Sequence, residues 1–173
     1  MSIYRFGDTS PTIADSAFIA PGARIIGDVT IGEDSSIWYN CVLRGDVERI
    51  TIGARTNIQD GTVVHVTRQR YGTMIGDDVL IGHRAMVHGC IIENHGFIGL
   101  GAIIMDECVV ESDGMLAAGA MLTPGKRIGK GELWAGRPAK LFRMLSEDEI
   151  RNNRAGVAGY AELAKVHKAS VSG

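Results

Sequence analysis

Aromatic side chains are scarce in this chain, at 6% of 173 residues, and only four prolines occur. The core must therefore be made of other material. Hydrophobic residues supply 45% of the sequence, enough for one domain of this length to bury a core. Glycine is abundant, at 23 residues. A broad, aromatic-poor, glycine-punctuated core points to a repetitive architecture of short strands. The formal net charge of −2 offers no electrostatic case for a nucleic-acid partner, and there is no basic stripe or low-complexity tail. No apolar run approaches the roughly 18 residues that span a bilayer. The opening Met1-Ser2-Ile3-Tyr4-Arg5 has no signal-peptide core, so a cytoplasmic protein without a membrane partner is expected. The cysteines Cys41, Cys90 and Cys108 are odd in number and far apart, with no Cys-x-x-Cys pair. They argue against a disulfide framework and a thiolate zinc site, and read as small core residues.

What the sequence does have is a period. From Ile13 an aliphatic recurs every six positions, through Ile19, Ile25, Ile31, Ile37 and Leu43. After extra residues, read as Arg49 to Thr51, the frame resumes at Ile52, Ile58 and Val64. After a longer insertion within Val66 to Met74 it resumes at Ile75, Ile81 and Val87. With one residue dropped it continues through Ile92, Ile98, Ile104, Val110, Leu116, Leu122 and Ile128. Four places after the aliphatic comes a small or β-branched residue, such as Ala23, Cys41, Thr62, Ala85, Ala102 or Ala120. A six-residue unit is too short for a helical repeat, but it suits one flat strand and a tight corner, and three such units close a triangular coil. The aliphatic then points into the prism, the small residue fills the corner, and Gly or Asn takes the turn. Successive coils pair in parallel at roughly 4.8 Å. About nineteen units cover residues 13–133.

The predicted organisation is a lead-in over 1–12, the solenoid over 13–133, a connector over 134–145 and a helix over 146–168. The solenoid ends at the Gly/Pro break Trp134-Ala-Gly-Arg-Pro138. Ser146-Glu147-Asp148-Glu149 reads as a capping box. The apolar residues Ile150, Val157, Tyr160, Leu163 and Val166 follow at helical spacing, giving a helix of about twenty residues along the prism.

The same frame places the histidines. His65 and His88 take the second position of hexads one coil apart, so they stack on one face and two imidazoles can tilt toward one ion. His83 belongs to the preceding hexad and hence to another face. It can join the pair only from a neighbouring chain, and closed threefold symmetry then gives three equivalent sites in a homotrimer. Arg44 shares the column of His65 and His88, while Gln59 and Asp60 lie one coil below His83. An Arg44 to Asp60 salt bridge across the subunit boundary is therefore expected. His95, in a corner, and His167, near the helix end, are expected to be structural.

The stretches Leu43-Arg-Gly-Asp46, Asn57-Ile-Gln-Asp60, Val64-His65, Ile81-Gly-His83 and His88-Gly-Cys90, with Gly136-Arg-Pro-Ala139 and the terminal helix, resemble the γ-class carbonic anhydrase family of hexapeptide-repeat proteins. The resemblance covers nearly the whole chain. It implies an all-β solenoid, the left-handed parallel β-helix, a hand that the period alone does not give. It implies that His65, His83 and His88 are metal ligands for Zn²⁺ or Fe²⁺, and that a metal-bound hydroxide at a trimer interface hydrates CO₂ reversibly to bicarbonate. Gln59 matches the residue that hydrogen-bonds that hydroxide. Arg44, Asp46 and Asp60 match the interface and active-site network, Asn57 a substrate-positioning residue, and Tyr160 an active-site tyrosine. Three neutral imidazoles suit this chemistry, because they leave the ion's charge undiminished and a fourth position open.

The chain departs from the family prototype at Val47, where the prototype has a Glu, and in Thr67-Arg-Gln-Arg-Tyr71, which lacks the acidic proton-shuttle residue. Two alternatives stay open at this point. One is a catalytically weak metal-binding trimer acting as an interaction module for an unidentified protein partner, and the other is a hexapeptide-repeat acyltransferase.

Overall fold

The structure, a computed structural model, describes residues 2–171. Its strands wind into a left-handed parallel β-helix with three flat faces and a single C-terminal helix over Glu147–Val171. The first face stacks Val42–Leu43, Val63–His65, Met86–His88, Ile103–Ile104 and Met121–Leu122. The second stacks Thr51–Ile52, Met74–Ile75, Ile91–Ile92, Val109–Val110 and Arg127–Ile128. The third stacks Phe18–Ile19, Ser36–Ile37, Asn57–Ile58, Leu80–Ile81, Phe97–Ile98 and Met115–Leu116. Every one of these pairings is parallel, as a coil that always turns the same way requires.

The period explains the core. The recurring aliphatics, from Ile25 through Ile58 and Ile98 to Ile128, are buried in one continuous column, each worth about 2–3 kcal/mol on burial. Ile13 and Ile19, near the end of the prism, are only partly covered. The corner residues Cys41, Thr62, Ala85, Ala102 and Ala120 are also buried, because the chain turns too tightly there for a larger side chain. Just before each of them the backbone is left-handed, at Asn40, Gly61, Arg84, Gly101 and Gly119. Glycine takes that conformation freely, whereas Asn40 and Arg84 bear a strain of roughly 1 kcal/mol each. Thr62 also ties successive coils: its Oγ1 donates to the Gly82 carbonyl at 3.1 Å and accepts from the Ala85 N–H at 3.2 Å.

Three details differ from the sequence reading. The first insertion lies between Gly45 and Ile50, not over Arg49 to Thr51, because Gly27 pairs with Gly45 and Val29 with Ile50. Ile50 is fully buried, so the extra residues fall within Asp46 to Arg49, of which Val47 packs against the core. The segment expected as a connector is a hairpin: Glu132–Gly136 and Ala139–Met144 pair antiparallel, and Trp134, stacked on Leu116, continues the inward ladder. The helix also runs on to Val171. It starts on the expected capping box, with Ser146 N–H donating to Glu149 at 2.8 Å and Glu149 N–H donating to Ser146 Oγ at 3.2 Å.

The helix packs on the third face, with Val157 and Ala164 buried. Phe18, Ala20, Trp38 and Ala164 form a second small core there, flanked by Tyr39 and Tyr160. Arg154 clamps Asp113 through two hydrogen bonds of 2.9 and 2.8 Å. Among the described residues no helix is long and apolar enough to cross a membrane.

Candidate metal centre

His65 and His88 are aligned partners on adjacent coils of the first face. The parallel ladder fixes their backbones, and the inward Val64 and Val87 force both rings outward. His65 Nδ1 stands 3.1 Å from His88 Nε2. The far nitrogen of each ring meets a carboxylate: His65 Nε2 lies 3.1 Å from Asp46 Oδ1, and His88 Nδ1 lies 2.6 Å from Asp106 Oδ1. Arg44 completes one end of this chain by donating to Asp46 Oδ2 at 2.5 Å. Thr67 completes the other by donating its hydroxyl to Asp106 Oδ2 at 2.7 Å.

Electrostatics decides where the protons sit. Burial works to raise Asp46, but hydrogen bonds from Arg44 and His65 and the charge of Arg44 outweigh it and hold the carboxyl below the usual range. Burial likewise opposes, and His88 and Thr67 overcome, at Asp106. Ionised carboxylates only accept, so the imidazole nitrogens facing them carry the N–H. With both rings neutral, the two nitrogens that face each other are both lone pairs. Burial also lowers His65 below its ordinary value, which favours the neutral ring. Two lone pairs at this distance call for a shared cation. Donors 2.0–2.1 Å from a tetrahedral ion stand about 3.3 Å apart, close to the separation observed, and a carboxylate behind each ring is the usual support of a metal-ligating histidine. The donor set therefore fits a metal such as zinc.

His83 follows the Leu80–Ile81 strand of the third face and sits at the corner leading to the first. Its Nδ1 is 2.9 Å from Asp60 Oδ2, and both side chains are about two-fifths exposed. Among the described residues no three His, Cys, Asp or Glu side chains converge on one ion within a single chain. The Arg44 to Asp60 contact expected from the sequence is not formed within the chain, where Arg44 pairs with Asp46 and Asp60 with His83.

The remaining expected site residues are more dispersed. Gln59 is buried beside Asp60, and its backbone carbonyl accepts from Cys41 Sγ at 3.0 Å. Asn57 is buried on the third face, donating to Ser36 Oγ at 3.0 Å while its Oδ1 has no hydrogen-bond partner among the described residues. Tyr160 packs edge-on against Trp38 at 5.7 Å in the helix-docking cluster, where His167 also lies, 2.9 Å from the Tyr39 hydroxyl. The three thiols are free and buried, and burial pushes Cys41 up to about 12. Asp106 was absent from the sequence reading. Its only mark is its spacing, one coil beyond His88.

Fold and side chains together define a hexapeptide-repeat β-helix carrying a carboxylate-backed histidine pair. The comparisons agree on the fold and the family. The model of the bacterial transferase hexapeptide (six repeats) family matches residues 10–45. A carbonic anhydrase from Geobacillus kaustophilus is 41% identical over 96% of this chain and 91% of its own length. Gamma carbonic anhydrase 2, mitochondrial, from Arabidopsis thaliana is 46% identical over 92% of this chain, which spans 59% of the plant protein. The crystal structure of a hexapeptide transferase family protein from Anaplasma phagocytophilum superposes with a TM-score of 0.91 at 49% identity, covering 95% of this chain and 96% of that one. The chain belongs to the γ-class carbonic anhydrase-like family of hexapeptide-repeat proteins.

Proposed function

We propose that this chain is a metal-dependent carbonic anhydrase of the γ class, interconverting CO₂ and bicarbonate at the boundaries of a homotrimer. The observation that carries the reading is the pair of imidazole nitrogens facing each other at 3.1 Å with a carboxylate behind each ring. His65 and His88 would hold Zn²⁺, or Fe²⁺, with His83 of the neighbouring subunit as third ligand. When bound, the ion supplies Lewis acidity and lowers the pKa of a coordinated water.

The chain's own residues do the rest. Asp46 and Asp106 fix the tautomers of His65 and His88, and Asp60 does so for His83, leaving its Nε2 available. Arg44 holds Asp46 in place and can reach the open carboxylate oxygen of Asp60 across the boundary. Gln59, buried next to Asp60, can offer its side-chain amide at the seam. Asn57 and Tyr160 are assigned substrate positioning and a site-lining role. Proton export falls to buffer, because the Thr67 to Tyr71 loop contains no carboxylate.

That same loop favours a second reading, in which the metal serves trimer integrity and the assembly binds another protein. Metal analysis, light scattering and stopped-flow CO₂ hydration on the purified protein separate the two. The expected result is one metal per subunit, a trimer, and hydration at alkaline pH that buffer accelerates and His65→Ala abolishes. A metal-replete trimer with no hydration above buffer would overturn the enzyme reading. The second reading then requires that His83→Ala weaken assembly.

A further inference from the structure

The loop after His65 is pinned to the candidate centre at both ends. At its start, Thr67 donates to Asp106 Oδ2 at 2.7 Å, and Asp106 Oδ1 faces His88 Nδ1 at 2.6 Å. At its end, Thr73 Oγ1 donates to the His65 carbonyl at 2.7 Å and accepts from the Gly89 N–H at 3.0 Å. Between these anchors the loop closes on itself, Thr67 N–H donating to the Tyr71 carbonyl at 2.9 Å and Tyr71 N–H to the Thr67 carbonyl at 3.2 Å. Tyr71 lies against Gly89, where an added Cβ would stand 3.1 Å from the tyrosine Cβ. Arg68 and Arg70 are exposed at its tip, Arg70 resting 5.2 Å over the Tyr71 ring.

A carboxylate with one oxygen on a histidine and the other on a loop hydroxyl transmits displacement between them. If Asp106 shifts to track His88, Thr67 must follow or give up its bond. We propose that Asp106 is the positioning residue that orients His88 toward the metal, and that Thr67 couples metal occupancy to the order of the 67–71 loop. This inference rests on the metal reading above and adds a movable element to it, the 67–71 loop coupled through Thr67. The loop thereby becomes a metal-sensitive surface at the mouth of the site, displaying two arginines.

The test uses the full chain and Co²⁺ as probe, with three readouts: affinity by chelator competition, the visible ligand-field spectrum, and the rate of tryptic cleavage after Arg68 and Arg70. In the wild type, Co²⁺ is expected to slow cleavage at these arginines. Asp106→Asn keeps the shape but loses the ionised acceptor, and is expected to weaken Co²⁺ 10- to 100-fold and change the spectrum. Thr67→Val, at a half-buried loop position, is expected to bind Co²⁺ still, though less tightly than the wild type, while losing the protective effect of the ion. Thr67→Ser is expected to restore that effect.

An Asp106→Asn protein with wild-type affinity and spectrum would overturn the positioning role. Protection that persists in Thr67→Val would overturn the coupling. A wild type that binds no Co²⁺ would remove the metal reading and this inference with it, an outcome distinct from either variant result.

Discussion

Asp46, Asp60 and Asp106 each face one histidine at 3.1, 2.9 and 2.6 Å, so the supporting shell is as repetitive as the fold that presents it. His65→Ala is expected to leave the chain folded, since its ring lies outside the prism, and to remove stoichiometric metal as measured by elemental analysis. Gln59→Ala is expected to keep the metal and lower CO₂ hydration about 10²-fold, the usual cost of one preorganised hydrogen-bond donor, with stopped-flow rates as the check. The stacking of His65 on His88 was legible from the sequence because a period of six assigns every residue to a face. Asp106 was not legible, since a carboxylate one coil away looks like any exposed corner acid until its oxygens are located. Within one chain the partner of Asp60 is His83, which the sequence did not reveal. The frame put Arg44 and Asp60 on facing surfaces, and within one chain His83, directly above Asp60, satisfies it first.

Elements show a similar division. The helix start is a local signal and could be read directly, as the reciprocal bonds between Ser146 and Glu149 show. Ser146→Ala is expected to cost about 1 kcal/mol in thermal unfolding. Glu149, with the Arg143 hydrogen bond as the largest cause and the Ser146 N–H next, is held down at about 2 from its ordinary 4.5. A group whose folded value is depressed contributes its full stabilisation above the unfolded value and loses it as pH falls through the folded one. Helix content followed by circular dichroism is thus expected to decline between about pH 4.5 and pH 2, with Glu149→Gln flattening that part of the curve. The hairpin after residue 131 was hidden for a physical reason. Its inward residue is Trp134 instead of an aliphatic, so the six-residue count appears to stop one strand early while the stack continues. The first insertion was misplaced for a related reason, because Ile50 and Ile52 are both buried and either could be counted as the resuming residue.

Across the whole molecule, stability is a sum over stacked coils and their nearest-neighbour contacts, so a central defect should be felt more than a terminal one. Ile98→Ala, in the middle of the buried column, is expected to cost about 2–5 kcal/mol, and Ile19→Ala at the partly covered end clearly less. Chemical denaturation of the two variants measures the difference. Under the proposed assembly, a chelator is expected to lower the melting temperature and shift the trimer toward monomer on dilution, because ions bound only by the assembled state stabilise it by mass action. The architecture was legible at this scale because one requirement, a prism that closes every three strands, repeats along most of the chain. The relation of His83 to the other two histidines was legible only as a difference of face.

The antiparallel hairpin over Glu132–Gly136 and Ala139–Met144 has a consequence for how the molecule behaves among its copies. A stack of parallel rungs is a template, and an uncovered terminal rung invites another molecule to add its own first coil, the start of a filament. On the third face that rung is met by a strand of reversed polarity that carries no six-residue register. An incoming first coil finds no parallel hexad there to continue, so the direction of one short strand removes the template for the solenoid's own repeat.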